Sequence, residues 1–165
     1  MFEQDYLMRI LLQYAEILRR SWFKANHEKD PRGAAEMLEA SIGEATDIDG
    51  ATLLSLAPES MGAILQVSGV DERVVEYITR SLALASEYLR EDGQHLLADL
   101  RLEQARSLAN TYGFYLPENL EELAQWAEEQ FDQDASEKPI IDIATLKEDE
   151  KEALVRSIDE ENNQL

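Results

Sequence analysis

The chain has 165 residues, of which 15 are basic and 35 acidic, so its formal net charge at neutral pH is −20. This length fits one folded domain, and the negative charge repels nucleic-acid phosphates and anionic lipids, which argues against nucleic acid or a membrane as partner. Cysteine is absent, which excludes disulfides and thiolate catalysis and makes a reducing cytoplasm the expected location. The acidic start and the lack of an apolar stretch of roughly 20 residues predict neither a signal peptide nor a membrane span.

Apolar residues recur three and four positions apart along most of the chain, which predicts an all-α fold. The first helix is expected over residues 2–26. Asp30 and Pro31 have the character of an N-cap and a first helical residue, and they predict a second helix up to about residue 45. The next region is rich in helix breakers and should form two short helices. These breakers are Gly50, Pro58, Gly62 and Gly69.

A helical hairpin is predicted after residue 70. Asp71 is expected to cap a long helix over residues 72–91, Gly93 to turn the chain, and Gly113 to end a partner helix that starts near Gln94.

The last part of the chain is predicted to contain one further helix and an acidic appendage. Asn119 and Glu122 have capping-box spacing and predict a helix that extends to Phe131. Residues 132–165 have the polarity of a linker followed by a highly charged segment. The expected organisation is therefore a helical domain of residues 1–131 with an appendage of residues 132–165.

The segment Asp-Ile-Asp-Gly-Ala-Thr at residues 47–52 superficially resembles the catalytic loop of haloacid-dehalogenase-type phosphatases. In those enzymes the two aspartates follow a buried parallel strand and act as nucleophile and acid/base. Here the preceding residues have a helical pattern, and Ala51 separates Gly50 from the hydroxyl of Thr52. Asp47 and Asp49 are therefore predicted to form a turn that caps the neighbouring helix ends.

Other patterns of catalytic or metal-binding residues are not found in the sequence. If Gly50 is placed at the turn of an EF-hand, Ala45 and Leu56 fall on two essential calcium-ligand positions. His27 and His95 lack metal-ligand spacing, and glycine-rich phosphate loops are absent. We therefore expect no catalytic residues, no cofactor and no metal.

The remaining candidates concern contacts with other proteins. Trp22 and Phe23 are adjacent on the first helix and cannot both face one core, while three aromatic residues surround the predicted helix end at Gly113. Wedging of these aromatics between helices is the preferred interpretation, and an exposed aromatic in each cluster, at a partner or self-association surface, is the alternative. The candidate interaction residues are Trp22, Phe23, Tyr77, Tyr88, Arg101, Tyr112, Phe114 and Tyr115.

The hairpin around Gly93 resembles a tetratricopeptide repeat, because small and large apolar residues alternate in that repeat's rhythm. These residues are Leu82, Ala85, Ser86, Leu89, Gly93, Ala98, Leu102 and Ala105. The opening FEQDYLMRIL is similar to that of an uncharacterised bacterial domain-of-unknown-function family with tetratricopeptide-like helices, matching at Phe2, Asp5, Tyr6 and Arg9. The resemblance covers residues 1–131 and implies a bacterial, non-catalytic helical protein.

The sequence therefore predicts an all-α, tetratricopeptide-like array of antiparallel hairpins with about seven helices. Its expected function is a non-enzymatic protein–protein interaction module that holds a peptide between neighbouring helices. The alternative is a structural homo-oligomer, such as a homodimer closed by Trp22 and Phe23. Opposite charges could also join its ends, because residues 1–32 have a net charge of +1 and residues 118–165 a net charge of −12.

Overall fold

Six α-helices and no strand make up the part of the chain that the computed structural model describes, which is residues 2–119, 121, 122 and 125. These residues belong to one unit that spans Met1–Asp132. The helices are α1 (Phe2–Asn26), α2 (Pro31–Thr46), α3 (Gly50–Leu54), α4 (Pro58–Val67), α5 (Glu72–Glu91) and α6 (His95–Tyr112). The prediction of an all-α fold is confirmed. The appendage predicted over residues 132–165 lies outside the described residues.

The helix ends follow from local capping interactions. Asp30 and Asp71 accept hydrogen bonds through their carboxylates from the backbone N–H groups of Gly33 and Arg73, each at 2.9 Å. Gly113 ends α6 with a φ of 76°, a left-handed conformation that glycine adopts without steric cost. The predicted helix bounds are confirmed to within a residue.

The predicted seventh helix is described only at its start. The side chain of Asn119 accepts a hydrogen bond from the backbone N–H of Glu122 at 2.8 Å, as its predicted capping role requires. Residues 121, 122 and 125 are helical, and the other residues of that helix lie outside the described part of the chain.

Successive long helices along the chain run antiparallel, so each end of the fold combines the start of one helix with the end of another. At one end Arg32, near the start of α2, pairs with Asp92, which follows α5, with an Nε to Oδ2 distance of 3.0 Å. The C-terminus of α1 lies at this end as well, because only a short loop joins it to α2. The other end contains the C-termini of α2 and α6 and the N-termini of α1 and α5.

Helix α5 is the centre of the described fold, since it packs against α1, α2 and α6. The sequence predicts one buried face for this helix, but the structure buries nearly its whole circumference. Tyr77 and Tyr88, which the sequence places on an interaction surface, are both buried. In the structure both side chains therefore belong to the core instead of to an interaction surface.

Tyr77 takes part in a stack of side chains between α1 and α5. Its ring lies 5.8 Å from that of Tyr14, and the Arg80 guanidinium lies 5.4 Å from the centre of the Tyr77 ring. The Tyr14 hydroxyl donates a hydrogen bond to the carbonyl of Ser41 in α2 at 3.1 Å. Burial raises the pKa of Tyr14 well above its usual value, with a smaller contribution from the Glu44 carboxylate, so this hydroxyl stays protonated and keeps its donor role.

Two glycines allow α2 and α3 to cross at close range. A Cβ atom added to Gly43 would lie 2.8 Å from the Cα atom of Gly50, closer than packed carbon atoms approach. Because the obstructing atom belongs to the backbone, it cannot rotate away.

We expect Gly43→Ala to lower the free energy of unfolding by roughly 1–3 kcal/mol through overpacking, although alanine is the better helix former by about 1 kcal/mol. Urea denaturation followed by far-ultraviolet circular dichroism measures the change. Gly62→Ala is the control, because the three atoms nearest to its added Cβ belong to the exposed side chain of Thr111 and not to a backbone. Equal stability of Gly43→Ala and the wild type would mean that α3 moves aside at little cost.

Candidate interaction surfaces

A groove of about 560 Å³ lies between α2, α3 and α6, and we call it the α3 groove. Its lining is mostly small or aliphatic, with two carboxylates, a hydroxyl and a guanidinium among the polar groups. The lining residues are Glu36, Glu39, Ala40, Gly50, Ala51, Leu54, Ser55, Leu97, Leu100 and Arg101. The groove therefore offers an apolar floor with a few polar groups around it.

A buried polar network holds α3 in place beside this groove. Arg101 is only 6% exposed, and its Nη1 donates to the carbonyl of Leu54 at 2.9 Å and to Oε1 of Gln104 at 3.0 Å. Gln104 in turn donates through Nε2 to the carbonyls of Leu54 and Leu56, at 2.9 and 3.0 Å. Carbonyls at a helix C-terminus lack partners within their own helix, so these two side chains satisfy groups that burial would otherwise leave unpaired.

Arg101 also connects α6 to α2, because its Nε donates to Oε1 of Glu39 at 2.9 Å. The sequence indicates Arg101 as a candidate interaction residue. The structure places its side chain in the groove wall, with its donors bound to protein acceptors. Its role is to position α3 against α2 and α6, and the groove keeps its shape as a result.

The apolar floor continues onto the exposed start of α6. Leu96 is 88% exposed and lies four residues before Leu100, so the two side chains share one helix face. Leu96 and Leu100 are not among the candidate interaction residues that the sequence indicates. The adjacent pair Leu96 and Leu97 was the available signal, because two neighbouring leucines on a helix cannot both reach the same core.

A second surface lies at the C-terminal end of α1, and we call it the Phe23 surface. Phe23 is 50% exposed, while the adjacent Trp22 is half-buried. His27 is exposed, and its ring stacks on Phe23 with a centroid distance of 4.6 Å. Of the two interpretations of this pair, the structure therefore shows the one in which one aromatic is exposed.

The Phe23 surface contains a depression of about 420 Å³ that combines apolar and charged side chains. Met37 from α2 lies across it from α1. Its lining residues are Glu16, Arg19, Arg20, Phe23, Lys24, Glu28 and Met37.

The second aromatic cluster lies at the opposite end of the fold. Tyr112 and Phe114 are half-buried and stack with a centroid distance of 5.8 Å, whereas Tyr115 is 72% exposed. Burial raises the pKa of Tyr112, with the Glu72 carboxylate adding to the effect. The length of α5, about 30 Å for its 20 residues, separates the two aromatic clusters. They therefore do not form one continuous surface.

The predicted turn around Asp47 and Asp49 is confirmed. Asp49 is the N-cap of α3, and its Oδ2 accepts hydrogen bonds from the Oγ1 and the backbone N–H of Thr52 at 2.7 and 3.0 Å, which lower the pKa of Asp49. Asp47 follows α2 in a left-handed conformation with a φ of 55°. The residues before these aspartates form a helix instead of the strand that the phosphatase loop requires.

Within the described residues, no three His, Asp or Glu side chains converge as metal ligands. No helix in that same part of the chain combines the length and apolar character needed to cross a bilayer. Comparisons with protein-family models, curated proteins and solved structures found no match. The α3 groove and the Phe23 surface are the two candidate interaction surfaces of the described residues.

Proposed function

We propose that this protein is a non-enzymatic protein–protein interaction module that binds a peptide segment of its partner in the α3 groove. The observation that carries the proposal is the apolar groove between three helices, fixed by the buried network of Arg101 and Gln104. Peptide and ligand sites are commonly preformed, concave and mostly apolar, with a few polar groups that orient what binds.

The proposal includes a tetratricopeptide-like construction, a bacterial origin and a cytoplasmic location. The tetratricopeptide-like construction alone has structural support, which is the hairpin of α5 and α6 that turns at Gly93 with a φ of 83°. Ala85 of α5 and Ala98 and Ala105 of α6 are fully buried, as expected where small residues bring two helices close together. Stacked hairpins of this kind leave grooves between their helices, as in known repeat proteins.

The groove has chemistry suited to a short peptide with one apolar anchor. Leu54, Leu97 and Leu100 would contact an aliphatic or aromatic side chain. Glu36 and Ser55 are exposed and line the same groove, so they can accept hydrogen bonds from peptide N–H groups or pair with a basic side chain. An apolar residue next to a donor-rich or basic residue is therefore the expected motif.

A selection from a random-peptide display library on the full chain tests this proposal. Peptides that emerge should bind Ala40→Arg at least about tenfold more weakly than the wild type, because the arginine side chain would occupy the groove. Ala40 is exposed, so the substitution leaves the core intact. Isothermal titration calorimetry measures both affinities.

Ala63→Arg is the matched control, since it makes the same change at an exposed position of α4 that does not line the groove. It should bind the selected peptides as the wild type does. Peptides that bind Ala40→Arg and Ala63→Arg equally well would contradict binding in the α3 groove.

The exposed Phe23 favours the alternative function, a structural homo-oligomer. In that case the chain would sediment as a dimer at micromolar concentration, and Trp22→Ala with Phe23→Ala would yield a folded monomer. Phe23→Ala alone is the cleaner variant, because Trp22 is half-buried and its loss also affects packing. A wild-type mass of one chain, unchanged by either variant, would exclude this alternative.

A further inference from the structure

The Phe23 surface differs in charge from the rest of the molecule. Residues 16–32 contain five basic and three acidic residues, a net charge of +2 in a chain whose net charge is −20. Three of the five cations, Arg19, Arg20 and Lys24, line the depression next to Phe23 together with the carboxylates of Glu16 and Glu28, so its lining has a net charge of +1. An anionic ligand is thus repelled by the protein as a whole but not by the lining of this depression.

The cations of this surface are held by exposed, exchangeable ion pairs. Arg20 lies 3.3 Å from Glu16, and Lys24 lies 3.3 Å from Glu28 and 3.4 Å from Asp30. Exposed pairs of this kind contribute little to stability, so a carboxylate from outside can replace an internal one at small cost. The hydrogen bonds to Glu28 and Asp30 also raise the pKa of Lys24, which keeps its ammonium group charged.

An apolar contact lies among these charges. The half-exposed ring of Phe23 on α1 and the side chain of Met37 on α2 line the same depression of about 420 Å³. Aromatic and methionine side chains surrounded by charged groups are typical of interaction sites. A ligand for this surface therefore needs both an apolar side chain and negative charge.

We infer that the Phe23 surface binds an acidic segment of a partner protein whose apolar side chain contacts Phe23 and Met37 while its carboxylates pair with Arg20 and Lys24. This surface shares no lining residue with the α3 groove, so the inference goes beyond the proposed function. A second copy of the chain, which is the alternative function considered above, fits this surface less well than an acidic segment does, because twofold pairing would bring two linings of net positive charge together. An anionic membrane also fits less well, because the remaining negative charge of the chain opposes it.

Fluorescence anisotropy with the full chain tests the inference, using the labelled peptide Glu-Glu-Leu-Phe-Glu-Glu-Leu-Glu-Glu as probe. The wild type should bind it saturably, and binding should weaken as ionic strength rises from about 0.1 M to about 1 M, where the Debye length shrinks to about 3 Å. Arg20→Gln with Lys24→Gln should weaken binding about tenfold, and Phe23→Ser should weaken it by a similar factor.

Arg9→Gln with Arg73→Gln is the matched control for charge, because it also removes two exposed cations, at the opposite end of the fold. Tyr115→Ser is the control for loss of an exposed aromatic. Both should bind the probe within about twofold of the wild type if the Phe23 surface is the site. Circular dichroism confirms that each variant is folded.

Three results would overturn the inference. The first is equal loss of affinity in the Arg20/Lys24 and Arg9/Arg73 variants, which would mean that only net charge matters. The second is unchanged affinity for a probe with glutamine in place of every glutamate. The third is absence of peptide binding together with one of two other results. A dimer that Phe23→Ser dissociates would assign the surface to a second copy of the chain. Binding to phosphatidylserine vesicles would assign it to lipid.

Discussion

Replacing Gln104 with leucine is expected to lower the free energy of unfolding by roughly 2–4 kcal/mol, because it leaves buried carbonyl groups without donors. Gln104 is fully buried, and its Nε2 donates to the carbonyls of both Leu54 and Leu56. Leucine has nearly the volume of glutamine but no donor, so lost hydrogen bonding dominates over lost packing. Urea denaturation with circular dichroism as the signal measures the difference.

Arg101→Met should have a comparable cost, because it removes donors to Leu54 and Gln104 and leaves Glu39 without its partner. The double variant should cost less than the two single variants together, since each removes part of the same network. Arg106→Met is the matched control on the same helix, where a pair with Glu103 is largely exposed, and it should change stability by less than about 0.5 kcal/mol. A cost for Gln104→Leu no larger than for Arg106→Met would show that water replaces the network.

Leu82→Ala is expected to lower the free energy of unfolding by roughly 3 kcal/mol, the usual cost of a cavity in a packed core. Leu82 is fully buried in the middle of α5, the helix that contacts α1, α2 and α6. A void there removes contacts with several helices at once. Thermal and urea denaturation should both show the loss.

Leu96→Ala makes the same chemical change at a leucine that is 88% exposed, and it should change stability by less than about 0.5 kcal/mol. The difference between the two variants isolates the effect of burial. A loss for Leu82→Ala as small as that for Leu96→Ala would mean that the helices around α5 close the cavity by moving together.

Leu96 also connects stability with function. Because it adds little to the core, its exposure is compatible with a role at the edge of the α3 groove, next to Leu100. Leu96→Ala should therefore leave the free energy of unfolding nearly unchanged. It should nevertheless lower the affinity of the protein for the peptides selected on that groove. This separation between stability and binding is what an interaction residue should show.

Sequence patterns located the helices well because helix ends depend on neighbouring residues. The caps at Asp30, Asp49 and Asp71 involve hydrogen bonds over two or three positions, and Gly113 ends α6 through its own backbone conformation. Such contacts are present in the sequence as residue types at fixed spacing. The divergence of Trp22 and Phe23 is likewise local, since adjacent side chains on a helix face different directions.

The candidate surfaces were less predictable. Tyr77 and Tyr88 have the polar tips of interface residues, but packing around α5 buries them. The α3 groove requires α2, α3 and α6 to meet, and no local pattern contains that information. The sequence therefore indicates Phe23 and Arg101 as candidate interaction residues, but only the packing of distant helices decides that Phe23 is exposed and that Arg101 lies in the wall of the α3 groove.

The sequence by itself determined the all-α class, the helix bounds and the turns, because these depend on capping, periodicity and glycine over a few residues. Only the tertiary structure decided which helix is central and where the grooves lie. Arg101 binds Glu39 at a separation of 62 positions and the Leu54 carbonyl at a separation of 47. The energy of such contacts depends on burial and on the meeting of distant helices, and neither is encoded in the spacing of residues along one helix.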